Sequence, residues 1–192
     1  MPSISIEIVK NDAIEVCCDL CNELMALQKM KSRIHSECFD GMDFHTRMEK
    51  SYINALRKQV IVAKDGIKPV GYVFSTVDFV AEDARNYVPE WAPASTGQIG
   101  FFPDWVKLPQ HIGCLNNLYL QPAYRRTGLG AKLFSMSMQW LESFSDVHLL
   151  FVYISNGNDA ALNFYLKHGF VFSHDVFGGF IHAACKEKSL IA

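Results

Sequence analysis

The chain has 192 residues, of which 49% are hydrophobic and 20% are charged, so its length and composition predict one globular domain over residues 1–192 and exclude a disordered chain. Eighteen basic residues against twenty acidic ones give a net charge of −2, which disfavours a general nucleic-acid-binding protein. No apolar run reaches the roughly 18–20 residues of a membrane span, and the first ten residues lack an apolar signal core. We therefore expect a cytoplasmic protein without a membrane or nucleic-acid partner.

The first half of the chain predicts a strand, two helices and a hairpin. Alternation of isoleucines at positions 4, 6 and 8 is typical of a short strand over residues 3–9. Asn11 or Asp12 is expected to cap the helix that follows. This first helix is expected to continue through residue 30, and a loop over residues 31–43 follows it. A second helix is expected over about residues 43–56, and a hairpin around residues 65–66.

Residues 78–110 are unusual because they contain four prolines together with Trp91, Phe101, Phe102 and Trp105. So many prolines exclude a central strand or a long helix. A loop of this length is either a lid, a binding loop or an interface, or else a surface insertion anchored by its aromatic side chains.

The six cysteines stand at positions 17, 18, 21, 38, 114 and 185. Reduced thiols are expected, because the chain is large and has no secretion signal. Cys17, Cys18 and Cys21 have the spacing of neighbours on a helix, but a metal site would need a fourth ligand, and no second CxxC or HxxxH pair supplies it. We interpret these cysteines as small apolar residues and expect no metal.

After residue 110 the pattern predicts strand, helix, strand, helix and a final hairpin. The expected strands cover residues 113–120, 147–155, 170–176 and 179–186, and the expected helices cover 128–144 and about 158–167. The first of these helices presents an apolar face made by Leu129, Leu133, Met136, Trp140 and Phe144. Because a strand–helix–strand unit with an apolar second strand favours a parallel pair, the fold class is α/β or α+β with a mixed sheet.

Residues 118–134 (LYLQPAYRRTGLGAKLF) carry the clearest chemical signal. Pro122 ends the strand, and Gly128 and Gly130 stand where a loop meets the next helix. The first amides of a helix are unpaired and attract anions, and residues 121–132 contain three basic side chains and no acidic one. This pattern predicts a phosphate or pyrophosphate site, although a dinucleotide fingerprint and a Walker loop are both incomplete.

This segment resembles the coenzyme A motif of the GNAT superfamily of N-acetyltransferases. That motif is a strand and a proline followed by (Arg/Gln)-x-x-Gly-x-(Gly/Ala), here Arg125, Gly128 and Gly130. Residues 158–170 resemble the superfamily's next motif, Asn-x-x-Ala-x-x-(Phe/Leu)-Tyr-x-x-x-Gly-Phe, through Asn158, Ala161, Phe164, Tyr165, Gly169 and Phe170. The two motifs cover about residues 112–172, and the insertion at 78–110 is longer than most members carry.

The resemblance implies a mixed, mostly antiparallel twisted sheet with a central splayed parallel pair, flanked by helices. Acetyl-CoA would be the cosubstrate, and a primary amine would attack it directly in a ternary complex. A backbone amide near Leu120 would polarise the thioester, and Tyr165 would protonate the leaving thiolate, whereas outside the motif Tyr165 would be interpreted as a core residue. The implied coenzyme-binding residues are Leu118, Tyr119, Leu120, Arg125, Arg126, Thr127, Gly128, Leu129, Gly130, Ala131 and Asn158. Asn158 is either a plain helix cap or a cap that also contacts pantetheine.

The general base is not identified by the sequence. Many relatives place a glutamate on the strand before the coenzyme motif, where this chain has Cys114, Asn116 and Asn117. His111 is the nearest titratable residue, although a histidine without a catalytic role is its simpler interpretation. The other candidates are a water chain and the acids of the loop between the first two helices, Glu37, Asp40 and Asp43.

Residues 78–104 hold five acids against Arg85 alone, namely Asp78, Glu82, Asp83, Glu90 and Asp104. In relatives this region and the loop between the first two helices form walls of the acceptor site, so acidic walls would attract a cationic amine. The acceptor is then a polyamine, an amino sugar, or a peptide or protein amine, and a solvated acidic loop is the alternative interpretation.

Two other functions are consistent with the sequence. One is a CoA-binding protein of the same fold without turnover, which the missing carboxylate base supports. The other is a self-associating interaction protein whose insertion at 78–110 forms the interface. Homodimers are common in the family, so we expect a homodimer in either case.

Overall fold

The computed structural model describes residues 3–94 and 98–188, and within them seven strands form one sheet in the order β1-β2-β3-β4-β5-β7-β6. The strands are β1 (Ile4–Ile8), β2 (Arg57–Asp65), β3 (Lys68–Val80), β4 (Gln110–Leu120), β5 (Val147–Ser155), β6 (Val171–Val176) and β7 (Ile181–Glu187). The α-helices are α1 (Cys18–Lys31), α2 (Lys50–Asn54), α3 (Leu129–Glu142) and α4 (Asp159–Lys167). Neighbouring strands are antiparallel except for β4 and β5, which are parallel. The predicted mixed sheet with a central parallel pair is therefore confirmed.

The hairpin predicted around Asp65-Gly66 is the β2–β3 hairpin. Gly66 has a φ of +60°, a left-handed conformation that a glycine adopts without steric cost. β3 then pairs with β4 along its length, and α3 is the crossover that brings β5 parallel to β4. The first strand, β1, pairs with β2 at the edge of the sheet, as the alternation of isoleucines indicates.

The start of the first helix differs from the prediction. Asn11 and Asp12 do not cap it, because both have a left-handed φ near +55° and form a turn. A 3-10 turn over Ile14–Cys17 follows, and α1 begins only at Cys18. Asp12 instead accepts a 2.6 Å hydrogen bond from the Tyr52 hydroxyl. A tight reversal after β1 is what carries the chain onto the face of the sheet, and Asn and Asp tolerate it better than other non-glycine residues.

The second predicted helix begins at its expected cap but is not a regular α-helix. Asp43 accepts from the Thr46 amide at 2.8 Å while the Thr46 hydroxyl accepts from the Asp43 amide at 2.9 Å, which is a capping box. The following turn, Phe44–Glu49, is π-helical and runs directly into the short α2. π-Helical turns are rare in proteins, and those that occur are frequently found at functional sites.

The predicted insertion begins three residues too early. Residues 78–80 belong to β3, where Val80 pairs with Gln110, so the segment outside the strands covers 81–109. Its aromatic residues pack onto the sheet, with the Phe101 ring 5.1 Å from Tyr153 and the Trp91 ring 6.2 Å from Phe180. These contacts anchor the insertion to the rest of the fold.

Helices cover both faces of the sheet. Alternate residues of the strands point to α3 and α4 on one face, and to α1, the 44–54 segment and the insertion on the other. The buried face of α3 is rotated from the prediction: Met136 and Trp140 are only partly buried, whereas Ser137 is 1% exposed. The reason is a 2.6 Å hydrogen bond between the Ser137 and Ser75 hydroxyls, which makes a polar residue acceptable in the core.

Candidate active site

The parallel pair opens partway along its length. The β4–β5 register runs from His111 opposite Val147 to Leu115 opposite Val152 and then stops. Residues 117–120 of β4 stay paired with β3 on their other side, and Asn116 lies at an irregularity of that register. The edge of β4 that faces β5 therefore has no strand partner over residues 116–120, and its backbone groups are available for hydrogen bonding apart from the Leu120 carbonyl, which accepts from the Arg125 side chain.

Four cavities follow one another through this opening. A groove of about 240 Å³ lies between α1, the end of β4 and α4. It shares Leu118, Asn158 and Tyr165 with a junction cavity of about 30 Å³, which in turn shares Asn116 and Asn117 with an inner cavity of about 200 Å³. The inner cavity meets an outer cavity of about 700 Å³. The row connects the two faces of the splayed strands.

The groove brings together most of the coenzyme-binding residues that the resemblance implies. Its lining includes Leu118, Tyr119, Leu120, Arg125, Gly130, Asn158 and Tyr165. Arg126, Thr127, Gly128, Leu129 and Ala131 do not line it, and lie in the adjoining loop and the first turn of α3. The Leu129 side chain is 8% exposed and belongs to the core, so this residue can offer a ligand only its backbone.

The loop before α3 presents unpaired amides. Gly128 has a φ of +86° and Arg126 a φ of +62°, and this curl is why a glycine stands at position 128. The Thr127 hydroxyl donates to the Tyr124 carbonyl at 2.8 Å and so fixes the curl. Within the described residues, the N–H groups of residues 126–128 donate to no backbone carbonyl. Such a loop before the first turn of a helix has the backbone arrangement that binds anions in proteins.

Two of the implied residues make contacts that the sequence does not predict. Arg125 donates through Nε to the Leu120 carbonyl at 2.9 Å and lies 5.5 Å from the Tyr119 ring centre. Asn158 precedes α4, but its side chain does not cap that helix. It accepts instead from Lys31 Nζ at 3.3 Å, so Asn158 joins α1 to α4 beside the groove. Asn158 occupies the N-cap position of α4, as both interpretations expect, but the side-chain capping bond is not formed.

Tyr165 of α4 stands where the groove meets the junction cavity. Its side chain is 7% exposed and lies among the rings of Phe134, Phe164 and Phe170. Burial raises the pKa of its hydroxyl well above the usual value, so the hydroxyl stays protonated and can donate. The Tyr165 hydroxyl forms no side-chain hydrogen bond with the described part of the chain. Tyr165 lines both the groove and the junction cavity, where the residues of the two motifs meet.

Ser155 is a site residue that the sequence does not single out. It ends β5, lines both the junction and the inner cavity, and is 4% exposed. Its hydroxyl is buried without a hydrogen-bond partner among the described residues. Such orphaned groups are rare in folded proteins and need an explanation. A strand that ends with a polar residue after an apolar run is the signal that could have identified it.

Arg47 is the second residue that the sequence does not single out, and it lines both the inner and the outer cavity. The π-helical turn places it beside the buried Phe44 and Met48, and its guanidinium lies 4.9 Å from the Trp91 ring centre. Phe44, Arg47 and Met48 have the i, i+3, i+4 spacing of one helix face. An arginine that shares a helix face with apolar residues is therefore the sequence feature that could have identified Arg47.

The structure does not support the candidate bases. His111 lies five residues before Asn116, about 17 Å along the strand, and its Nδ1 contacts Asp146 at 3.2 Å. Asp43 is used by its capping box and Asp40 pairs with Lys29. Glu37 is exposed and contacts His35. None of these residues lines the junction or the inner cavity.

Cys114 lines the inner cavity but is not a nucleophile. Burial raises the pKa of its thiol to about 12, so the reactive thiolate is absent near neutral pH. Of the five acids in the 78–104 segment, Asp78 and Glu90 line the outer cavity, and Glu82 pairs with Arg85. The acidic wall therefore surrounds the mouth of the site and does not extend to its interior.

Comparison with known proteins identifies the family. Residues 28–170 match the model of the acetyltransferase (GNAT) family, which is more than half of the chain. The chain therefore belongs to that family, and its class of reaction is acetyl transfer. No curated protein matches the sequence significantly.

Solved structures share the fold over nearly the whole chain. Arabidopsis thaliana NAA60 in complex with a bisubstrate analogue is 12% identical, with a TM-score of 0.58 over 97% of this chain and 100% of that one. PaiA N-acetyltransferase from Thermoplasma acidophilum in complex with coenzyme A is 17% identical, with a TM-score of 0.58 over 96% and 99%. The ribosomal-protein-S18-alanine N-acetyltransferase from Escherichia coli is 13% identical, with a TM-score of 0.55 over 98% and 96%.

The part of the chain that the structure describes has neither a metal-binding cluster nor a membrane-spanning helix. Over residues 3–94 and 98–188, no three or more His, Cys, Asp or Glu side chains are grouped so as to hold a metal ion. Within the same ranges, no helix has the length and apolar character needed to cross a membrane.

Proposed function

We propose that this protein is a single-domain, acetyl-CoA-dependent N-acetyltransferase that moves the acetyl group to a primary amine in one ternary complex. The observation that carries the proposal is the unpaired edge of β4 over residues 116–120, which runs from the anion site past Tyr165 to the inner cavity. An extended pantetheine arm would add to that edge as a strand. The pyrophosphate would bind the amides of the 125–131 loop.

We infer a role for each side of the junction from the row of cavities. The acceptor amine would enter from the inner cavity, form the new C–N bond and displace the thiolate as the C–S bond breaks. Tyr165 would give its proton to the thiolate sulfur, since a buried neutral phenol is a donor in place. The surplus proton that the attacking nitrogen loses as the amide forms would pass through water to the Tyr165 oxygen and restore the phenol. The junction is lined by Asn117 and Leu118, so an amide there is better placed than one near Leu120 to polarise the thioester carbonyl.

The amine proton can be lost without a protein base. No Asp, Glu or His lines the junction or the inner cavity among the described residues, and the one cationic side chain there is Arg47. An ammonium group that enters this site leaves water without gaining a carboxylate from the lining, and such desolvation lowers the pKa of an amine. Water in the outer cavity would accept the proton before attack, and direct transfer is favoured because Cys114 is protonated.

Calorimetric titration with acetyl-CoA, CoA and NAD tests the coenzyme site. We expect both CoA species to bind and NAD to remain silent. An absence of binding by either CoA species would remove the basis for assigning the groove.

Tyr165→Phe tests the chemistry by thiol release. At pH 7 we expect kcat to fall about 100-fold with CoA binding unchanged, because general acid catalysis is lost. Above about pH 8.5 a thiolate leaves without protonation, so the ratio of wild-type to variant rates should shrink. Tyr52→Phe is the matched control, because its hydroxyl bonds to Asp12 away from the cavities. A defect that is equally large at every pH would assign Tyr165 a packing role.

A CoA-binding protein without turnover is the second candidate. The lack of any carboxylate or imidazole in the inner cavity favours it. Under this alternative, both CoA species bind but no amine in a broad panel releases thiol.

A further inference from the structure

Among the described residues, the guanidinium of Arg47 has no acceptor. It forms no ion pair and no side-chain hydrogen bond with them, although an arginine offers five N–H donors. Burial lowers the pKa of Arg47, and no carboxylate of the described residues offsets that cost. The side chain is partly exposed, so water can reach it in the free protein, and an anionic ligand would give the charge the partner that the described residues do not supply.

The inner and the outer cavity differ in the charged residues that line them. Arg47 is the one charged residue lining the inner cavity, whereas Lys50, Asp78 and Glu90 line the outer cavity. Asp78 is already engaged, since it accepts from the Leu56 amide at 2.9 Å. The inner cavity thus carries a single positive charge, which a monoanion neutralises and a polyamine does not.

The remaining lining sets the chemistry of the ligand's body. Apart from Arg47, the lining of the inner cavity is uncharged and combines two sets of side chains. The apolar and aromatic set is Met25, Phe39, Met42, Trp91, Phe101, Phe180 and Ile181, and the neutral polar set is Gln28, Ser51, Cys114, Asn116, Asn117, Tyr153 and Ser155. Trp91 stacks against Arg47, and an arginine held on an aromatic face keeps its N–H fork available for a planar, bidentate acceptor. A carboxylate has that geometry.

We propose that the acceptor is an amino acid with an uncharged body, and that Arg47 binds its carboxylate while its amine reaches the junction cavity. This inference rests on the proposed acetyltransferase function and replaces the cationic acceptor that the acidic 78–104 segment favours. The acids at the mouth lie outside the pocket in which the acceptor binds.

Thiol release with matched amine pairs tests the proposal on the wild-type protein. The panel is leucine, phenylalanine and 4-aminobutyrate, each with its carboxamide, together with spermidine and an aminophosphonate. We expect at least one acid to exceed its own amide by about 10- to 100-fold in kcat/KM, the range for a hydrogen-bonded charge. A preference for spermidine, for the amides or for the phosphonate would overturn the assignment.

Variants then assign the effect to Arg47. Arg47→Met should remove the preference for the acid over its amide while leaving CoA binding intact, and Arg47→Lys should retain part of it because the charge remains without the fork. Lys10→Met is the control, since it removes an exposed charge that lines none of the four cavities. Equal loss for acids and amides in Arg47→Met would contradict the proposal. Absence of thiol release from every amine would instead contradict the acetyltransferase function itself.

Discussion

Gly157 closes the contact between α1 and the start of α4, and its replacement by alanine tests how that contact shapes the groove. Gly157 has a φ of +79°, and a Cβ added there would lie 2.0 Å from the Lys31 carbonyl oxygen. Lys31 ends α1 and lines the groove. Gly157→Ala must therefore displace the end of α1.

The expected cost has a conformational part and a steric part. A left-handed alanine costs about 1–2 kcal/mol. Moving residue 31 also disturbs the two hydrogen bonds that Asn156 Oδ1 accepts from the amides of Arg33 at 2.6 Å and Ile34 at 3.1 Å, each worth about 1 kcal/mol net. We expect Gly157→Ala to lose about 3–4 kcal/mol of unfolding free energy, or roughly 6–16 °C in Tm for a chain of this size.

Gly41→Ala is the matched control, because Gly41 has a φ of +75° and open space around the position of its Cβ. It should lose only the conformational part, about 1–2 kcal/mol. Chemical denaturation of both variants gives the difference, and calorimetry should show weaker CoA binding in Gly157→Ala alone. Equal destabilisation of the two variants would refute the proposed contact with Lys31.

Two further predictions concern the buried polar groups. His174 is 7% exposed and bonds to the Gly100 carbonyl of the insertion at 2.9 Å, and burial lowers its pKa below 6.5. The unfolded chain therefore takes up the proton first, so stability falls as pH drops below about 6.5, and Tm should decline less between pH 7 and 5 in His174→Gln than in the wild type. Ser137→Ala should cost about 1–2 kcal/mol because it strands the buried Ser75 hydroxyl, and the double alanine variant should lose less than the two single losses combined.

Each of these two predictions has a clear contrary result. Parallel Tm profiles for His174→Gln and the wild type would show that this histidine does not govern the acid response. Strictly additive losses in denaturation would show that the two serine hydroxyls are not coupled.

Local patterns in the sequence predict most of the strands and the order of the later helices. The alternation in residues 3–9, the turn at Asp65-Gly66 and the apolar run of residues 147–155 all appear where expected. These signals depend on side-chain periodicity and backbone freedom, which neighbouring residues determine. The face of α3 is mispredicted because Ser137 is polar, and only its partner on a distant strand makes its burial favourable.

The residues of the candidate site also fall into two groups, those that short sequence motifs predict and those that they do not. Gly128, Gly130 and Tyr165 belong to short motifs whose residues are close in the chain, so the sequence alone indicates the anion site and the proton donor. Arg47 and Ser155 lie in segments without such a motif. What marks them is position: Arg47 lies over the Trp91 ring in the lining of the inner cavity, and the Ser155 hydroxyl is buried without a partner among the residues that the structure describes. Both features can be recognised only when the surrounding side chains are in place.

The sequence by itself therefore determined the family and the mixed sheet, because local spacing and turn chemistry specify them. Only the tertiary structure decided which charges line the inner cavity. Of the acids in the 78–104 segment, Asp78 and Glu90 line the outer cavity and Glu82 pairs with Arg85, while a single arginine from another segment reaches the inner cavity. Electrostatic interactions depend on the distance and burial of each charge, and neither quantity follows from the number of charges along the chain.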